Sequence, residues 1–147
     1  MLGKLARWLR ALGYDTLYLQ VTDAEIAHRA RVEGRVLLTQ DRQLARRRGL
    51  RTVLITSQDL GVQVSEVLAA VGLPPVDSPR CMVCNGALER ISRDEAAKQV
   101  PAYVAATQED FRRCVGCGRI YWPGTHWDGI RQRIARVLVR GHGSGFG

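Results

Sequence analysis

Four cysteines carry the plainest chemistry in this 147-residue chain. Cys81-Met-Val-Cys84 and Cys114-Val-Gly-Cys117 form two pairs, each with two residues between its thiols, and 29 residues separate the pairs. Two intervening residues let one tight turn aim both sulfurs at a single ion, and two such turns complete a tetrahedral four-thiolate shell that suits zinc. Two disulfides or a thioredoxin-like redox pair are the competing readings of the same residues. The N-terminal stretch is charged throughout and lacks the apolar core of an export signal, which disfavours disulfides, and a redox motif needs no duplicate. Four thiolates close the shell, so the ion is expected to be structural, supplying folding free energy to a segment poor in large apolar residues. His126, in Gly124-Thr-His-Trp127, is then surplus to the ligand set and reads as a packing or hydrogen-bonding residue.

Carboxylates offer a second chemistry. Asp41 follows the apolar run Val36-Leu-Leu-Thr39, and an acid just past a strand's carboxyl end is placed to hold a divalent metal. Capping a helix that starts near Arg42 is an equal use for the same side chain. Asp23 and Glu25 open another helix. The capping box Thr22-Asp-Ala-Glu25 accounts for Glu25, whereas Asp23 has only its favourable place near a helix N-terminus. Asp59 is a third acid at a strand end, after Thr56, although the first turn of a helix commonly carries one. Arg42, Arg46, Arg47, Arg48 and Arg51 form the densest basic cluster and flank Asp41, a layout suited to a phosphodiester substrate. Arg133, Arg136 and Arg140 line one side of a C-terminal helix whose Ile130, Ile134, Val137 and Leu138 face inward.

Hydrophobic periodicity supplies the elements that must position these groups. Leu2, Leu5, Leu9 and Leu12 recur at three- and four-residue steps, giving an amphipathic helix that Gly13 stops. Tyr14–Leu19 predicts a strand, Thr22 caps a helix through Glu33 that Gly34 closes, and Val36–Thr39 predicts a strand buried on both faces. A short Arg-rich helix over Gln43–Arg48 leads to a strand over Thr52–Thr56. Ser57 then caps a helix with Leu60, Val64, Val67, Leu68 and Val71 on its inner face. Strands alternating with helices over short connections imply parallel βαβ units. Each cysteine pair precedes a turn and a strand-like stretch, the outline of a zinc ribbon. The organisation expected is an α/β domain over 1–72, a proline-rich linker over 73–80, a zinc ribbon over 81–127, and a basic helix with a flexible tail over 128–147.

Charge sets the partner class. The chain carries 22 Lys+Arg against 14 Asp+Glu, a formal net charge of +8, and all its basic residues but Lys4 and Lys98 are Arg. Such a balance attracts polyanions, and Arg is the better bidentate phosphate binder. A hydrophobic share of 46% excludes a disordered basic tail, and no apolar stretch reaches the roughly 18–20 residues of a bilayer span. A cytoplasmic protein without a membrane partner is expected.

Met1-Leu-Gly-Lys-Leu-Ala-Arg-Trp-Leu-Arg-Ala-Leu-Gly-Tyr-Asp-Thr16 and Gly34-Arg-Val-Leu-Leu-Thr-Gln-Asp-Arg42 resemble the PIN-like ribonuclease domain at the C-terminus of the Mut-seven exonuclease, where a zinc ribbon follows. The two cysteine pairs and Gly118-Arg-Ile-Tyr-Trp-Pro-Gly-Thr-His-Trp127 match that ribbon, so the resemblance runs from Met1 to about Trp127. It implies a PIN-like parallel sheet flanked by helices, with acidic residues gathering Mg2+ or Mn2+ for RNA cleavage. Asp41 matches the family's acid after the Leu-Leu-Thr strand, and Asp23 and Glu25 match its acidic helix start. Family members usually carry a further strand ending in aspartate ahead of the segment matching Met1, and this chain begins after it. Two functions are therefore expected: a metal-dependent endoribonuclease, or a catalytically impaired protein that binds RNA or a ribonucleoprotein such as the ribosome.

Overall fold

The computed structural model describes residues 2–72 and 79–122, together with Gln132 and Arg136. Most of the expected linker, His126, the apolar face of the C-terminal helix, Arg133, Arg140 and the tail lie outside the described residues. Arg136 is helical and exposed. Among the described residues no helix is long and apolar enough to cross a membrane.

Helix α1 (Gly3–Leu12) buries Leu5, Ala6, Leu9, Arg10 and Ala11. It ends at Gly13, whose φ of 108° places it in the left-handed region that glycine enters without steric cost. No strand follows: Tyr14–Leu19 is irregular and belongs to neither sheet. Side chains from elsewhere take up its backbone groups. The Thr16 N–H donates to Asn85 Oδ1 at 2.9 Å, the Thr16 carbonyl accepts from Arg10 Nε at 2.9 Å, and the Asp15 carbonyl accepts from Arg35 at 3.3 Å. This segment lines an apolar cleft of about 370 Å3 together with Leu5, Leu9, Val36–Leu38 and Val67. Aromatic and apolar content alone does not make a strand when no ladder partner is at hand.

Helix α2 (Asp23–Glu33) starts in the expected capping box, with both reciprocal Thr22–Glu25 hydrogen bonds made, and closes at Gly34. Strands β1 (Leu37–Thr39) and β2 (Thr52–Leu54) pair in parallel, Leu37 opposite Thr52 and Thr39 opposite Leu54. Between them α3 (Arg42–Ala45) starts one residue earlier and ends three earlier than the Arg-rich helix predicted from sequence. Leu44 is its buried anchor. Arg46, Arg47 and Arg48 instead turn through solvent toward Gly49, at φ 76°. Helix α4 (Leu60–Val71) is capped by Asp59, not Ser57: Asp59 Oδ1 accepts from the Val62 N–H at 3.0 Å, while Ser57 Oγ accepts from the Asp59 N–H. Its Val64 and Val67 are buried, and Leu60, Leu68 and Val71 pack beside them, as the periodicity requires.

The carboxyl-terminal part is an antiparallel sheet in the order β3 (Leu88–Ile91), β4 (Phe111–Cys114), β5 (Ile120–Tyr121). Two helices, α5 (Arg93–Ala97) and α6 (Ala102–Thr107), fill the connection between β3 and β4 and bury Ala96, Val104 and Phe111. The main core draws residues from both sides of the proline-rich stretch. Leu5, Leu9 and Ala11 of α1, Ile55, Val64 and Val67 pack in one cluster with Cys81, Met82, Cys114 and Tyr121. The molecule is therefore a mixed α/β structure whose two parts share apolar surface. Because Leu5 is 1% exposed, Leu5→Ala is expected to cost about 2–5 kcal/mol through lost burial and the cavity left behind, read as a lower urea midpoint in a single transition.

Candidate metal centre and the acids at the strand ends

Each cysteine pair sits on a tight turn. In the first, the Asn85 N–H donates to the Cys81 carbonyl and the Cys81 N–H to the Gly86 carbonyl, both at 2.9 Å. Asn85 takes a φ of 71°, the left-handed region that asparagine tolerates better than most residues. In the second, Cys114 ends β4, the Gly118 N–H donates to its carbonyl at 3.0 Å, and Gly118 has φ 81°. Pairing of β3 with β4 sets Leu88 opposite Cys114 and so brings the two turns together.

All four Sγ atoms lie within 4.8 Å of one another. Cys84 and Cys114 are 3.2 Å apart and Cys81 and Cys117 3.7 Å. A disulfide needs about 2.05 Å, so the thiols are unlinked. Tetrahedral zinc at about 2.3 Å per bond needs sulfurs about 3.8 Å apart, a spacing these thiols nearly have. Backbone N–H groups of Gly86, Gly116 and Cys117 point at the sulfurs from 3.3–3.4 Å, which favours thiolates. A Cβ added at Gly86 would stand 2.6 Å from Cys114 Sγ and 3.1 Å from Cys84 Sγ, so the cradle has room for a hydrogen there and nothing larger. The residues present fit a structural zinc ion, held by Cys81, Cys84, Cys114 and Cys117.

Cys84 and Cys114 are pushed in opposite directions. A hydrogen bond to Cys114, together with burial, pushes the Cys84 thiol up to about 12. Burial raises Cys114, but the Cys117 N–H and the Cys84 thiol outweigh it and bring Cys114 down to about 7. Burial, then its hydrogen bond with Cys81 at 3.1 Å, pushes the Tyr121 hydroxyl up, and that oxygen also accepts from the Met82 N–H.

The acids predicted from sequence are dispersed. Asp41 stands at the carboxyl end of β1, exposed, with its N–H on Thr39 Oγ1. Its Oδ1 accepts from the Gln43 and Leu44 N–H groups at 2.8 and 3.3 Å, so it caps α3. Glu25 is held in its capping box, and Asp23 lies exposed in the first turn of α2. Among the described residues, the cysteines form a cluster able to share an ion, and Asp23, Glu25 and Asp41 form none. Each of the three instead stands at the start of a helix, Asp23 and Glu25 in the first turn of α2 and Asp41 at the N-cap of α3. Sequence reading overlooked Glu66 of α4, which accepts from the Thr56 N–H, the Thr56 hydroxyl and the Ser57 N–H just past β2. No local signal marks it, since a mid-helix glutamate usually faces solvent. Arg42, Arg46, Arg47, Arg48 and Arg51 are all exposed around α3 and the start of β2, close in the chain to Asp41.

Fold and site together define a small α/β domain with exposed acids and arginines at its strand ends, joined to a four-cysteine ribbon. The family model described as the Mut7-C RNAse domain matches residues 1–134, and the chain belongs to that family. No curated protein and no solved structure matches it.

Two outcomes follow for the cysteines. Metal uptake at neutral pH is expected to release protons, because Cys84 holds one until the ion displaces it, and zinc affinity should fall steeply on acidification. Competition titrations against a zinc-sensitive dye at several pH values measure both. In the same assay Gly86→Ala should weaken binding, since its methyl must displace Cys114 Sγ.

Proposed function

We propose that this protein is an RNA-directed endoribonuclease of the PIN-like class, with zinc held structurally by its ribbon. The observation that carries the reading is Asp41 at the carboxyl end of β1, where α/β folds bind ligands, with an exposed arginine run beginning at the next residue. The arginines supply charge for an RNA backbone, and the family supplies the reaction class. Oδ1 of Asp41 is fixed by two N–H groups, which holds the carboxylate in one orientation at the strand end. Mg2+ or Mn2+ is the cofactor this reading calls for. We place the protein in the cytosol, where thiols stay reduced and a four-thiolate site persists.

A second reading has its own support. Glu25, Asp41 and Asp59 all hold hydrogen bonds that the fold itself uses, and no three of the described acids share an ion-sized space. That favours a protein that binds RNA, or a ribonucleoprotein such as the ribosome, without cutting it.

Asp41→Asn separates the two. Asparagine caps a helix as well as aspartate does, so the fold survives while the charge is lost. With Mn2+ and short single-stranded RNAs, the ribonuclease reading expects cleavage that drops on the order of 100-fold in the variant. RNAs left intact by both proteins overturn it. In that event, RNA affinity that falls steeply with salt, with slopes reduced when Arg46 or Arg47 becomes alanine, supports the binding reading, and salt-insensitive or absent binding overturns that as well.

A further inference from the structure

Arg10 is charged, yet only 8% exposed. Its Nη1 donates to the Met82 carbonyl at 2.8 Å and to the Val83 carbonyl at 3.4 Å. Met82 and Val83 are the two residues between Cys81 and Cys84. Its Nε donates to the Thr16 carbonyl, and its own carbonyl accepts from the Arg80 N–H at 2.8 Å. The same turn reaches back. Asn85, next after Cys84, accepts from the Thr16 N–H through Oδ1 and donates to Asp15 Oδ1 at 2.6 Å through Nδ2. Asp15 in turn meets Arg35 at 3.3 Å.

We propose that Arg10 is a positioning residue for the four-cysteine metal site, and that through Arg10 and Asn85 metal loading orders the α/β part of the chain. The inference rests on reading the four cysteines as a metal centre. A divalent ion with four thiolates carries two net negative charges in a site where Cys81 and Cys114 are buried, and a buried charge needs a partner. Burial lowers the pKa of Arg10, and the nearby Cys81 and Cys84 offset only part of that. Groups that orient ligands without touching the metal commonly matter to its affinity by 10- to 100-fold. The coupling runs the other way too. Residues 14–19 have no sheet ladder, and the Arg10 and Asn85 bonds are what tie Thr16 down. If the first cysteine turn loosens, a buried guanidinium loses the Met82 and Val83 carbonyls and keeps only that of Thr16, while the segment loses its bond to Asn85.

Cobalt(II), whose absorption reports tetrahedral thiolate ligation, is the probe for the full-length chain. Arg10→Met should bind it about 10- to 100-fold more weakly than the wild type, with Arg10→Lys recovering part of the loss by restoring the charge. Equal affinity across the three proteins overturns the proposal. Hydrogen exchange gives a measurement that needs no Arg10 variant. Chelation of the wild type should speed exchange over residues 10–19 as well as over 80–122, and faster exchange confined to 80–122 overturns the coupling. Asn85→Gly keeps the positive φ of the turn, so its cobalt spectrum should persist while exchange at 14–16 rises even with metal bound. A wild type with no four-thiolate cobalt spectrum would sink the metal reading itself and the proposal with it, whereas binding without coupling sinks the proposal alone.

Discussion

The two strands of the parallel sheet are three residues each, too little for a stable layer by themselves. What makes them tenable is α1, which presents apolar surface to two neighbours at once. Leu5 and Leu9 meet Val64 and Val67 of α4, and the same cluster continues into Met82 and Tyr121 of the cysteine-bearing part. A helix shared in this way lets two undersized cores become one of adequate size, because the buried fraction of surface rises with the size of the packed unit. Arg10 sits at the seam. It is a charged residue in a position that geometry would otherwise reserve for an apolar one, and it is tolerated because carbonyls of the cysteine turn accept its protons.

The carboxylates show how local folding needs and chemistry compete for the same residues. An acid that follows a parallel strand and precedes a helix satisfies orphan N–H groups whether or not it also meets a ligand. Asp41 and Asp59 both do so, and Glu66 performs a similar service for the turn after β2 from within a helix. Of the clustered arginines, Arg51 donates to the Ala70 carbonyl at 3.3 Å, whereas the side chains of Arg42, Arg46 and Arg47 make no hydrogen bond among the described residues. Arg42, Arg46 and Arg47 stand in solvent, so their charge is available for a partner in a way that the acids' charge is only partly available.

What the residues disclosed in advance follows from how far apart the causes lie in the chain. The cysteine pairs, the Thr22–Glu25 box, the stops at Gly13 and Gly34 and the apolar face of α4 are all written within a few residues, and each appears in the structure as read. Tyr14–Leu19 was misjudged because strand formation needs a partner, and what this segment meets instead is Asn85, about seventy positions away. The helices α5 and α6 are too short for a 3.6-residue period to register. The role of Arg10 was invisible for the same reason as that of Asn85. In an amphipathic helix it reads as one more solvated charge, and only the tertiary structure shows the carbonyls it meets.

The contact between Arg10 and Met82 spans 72 residues, and the apolar cluster behind it is complete only when Tyr121 is in place. During synthesis, the amino-terminal helices and strands leave the ribosome long before the residues that seal their interior. Domains are usually finished as units in the order they emerge. Here the amino-terminal part must wait for the cysteine-bearing part, exposing Leu5, Leu9 and the cleft beside β1 in the meantime. Closing the amino-terminal core and bringing the four cysteines together are, in this chain, one event.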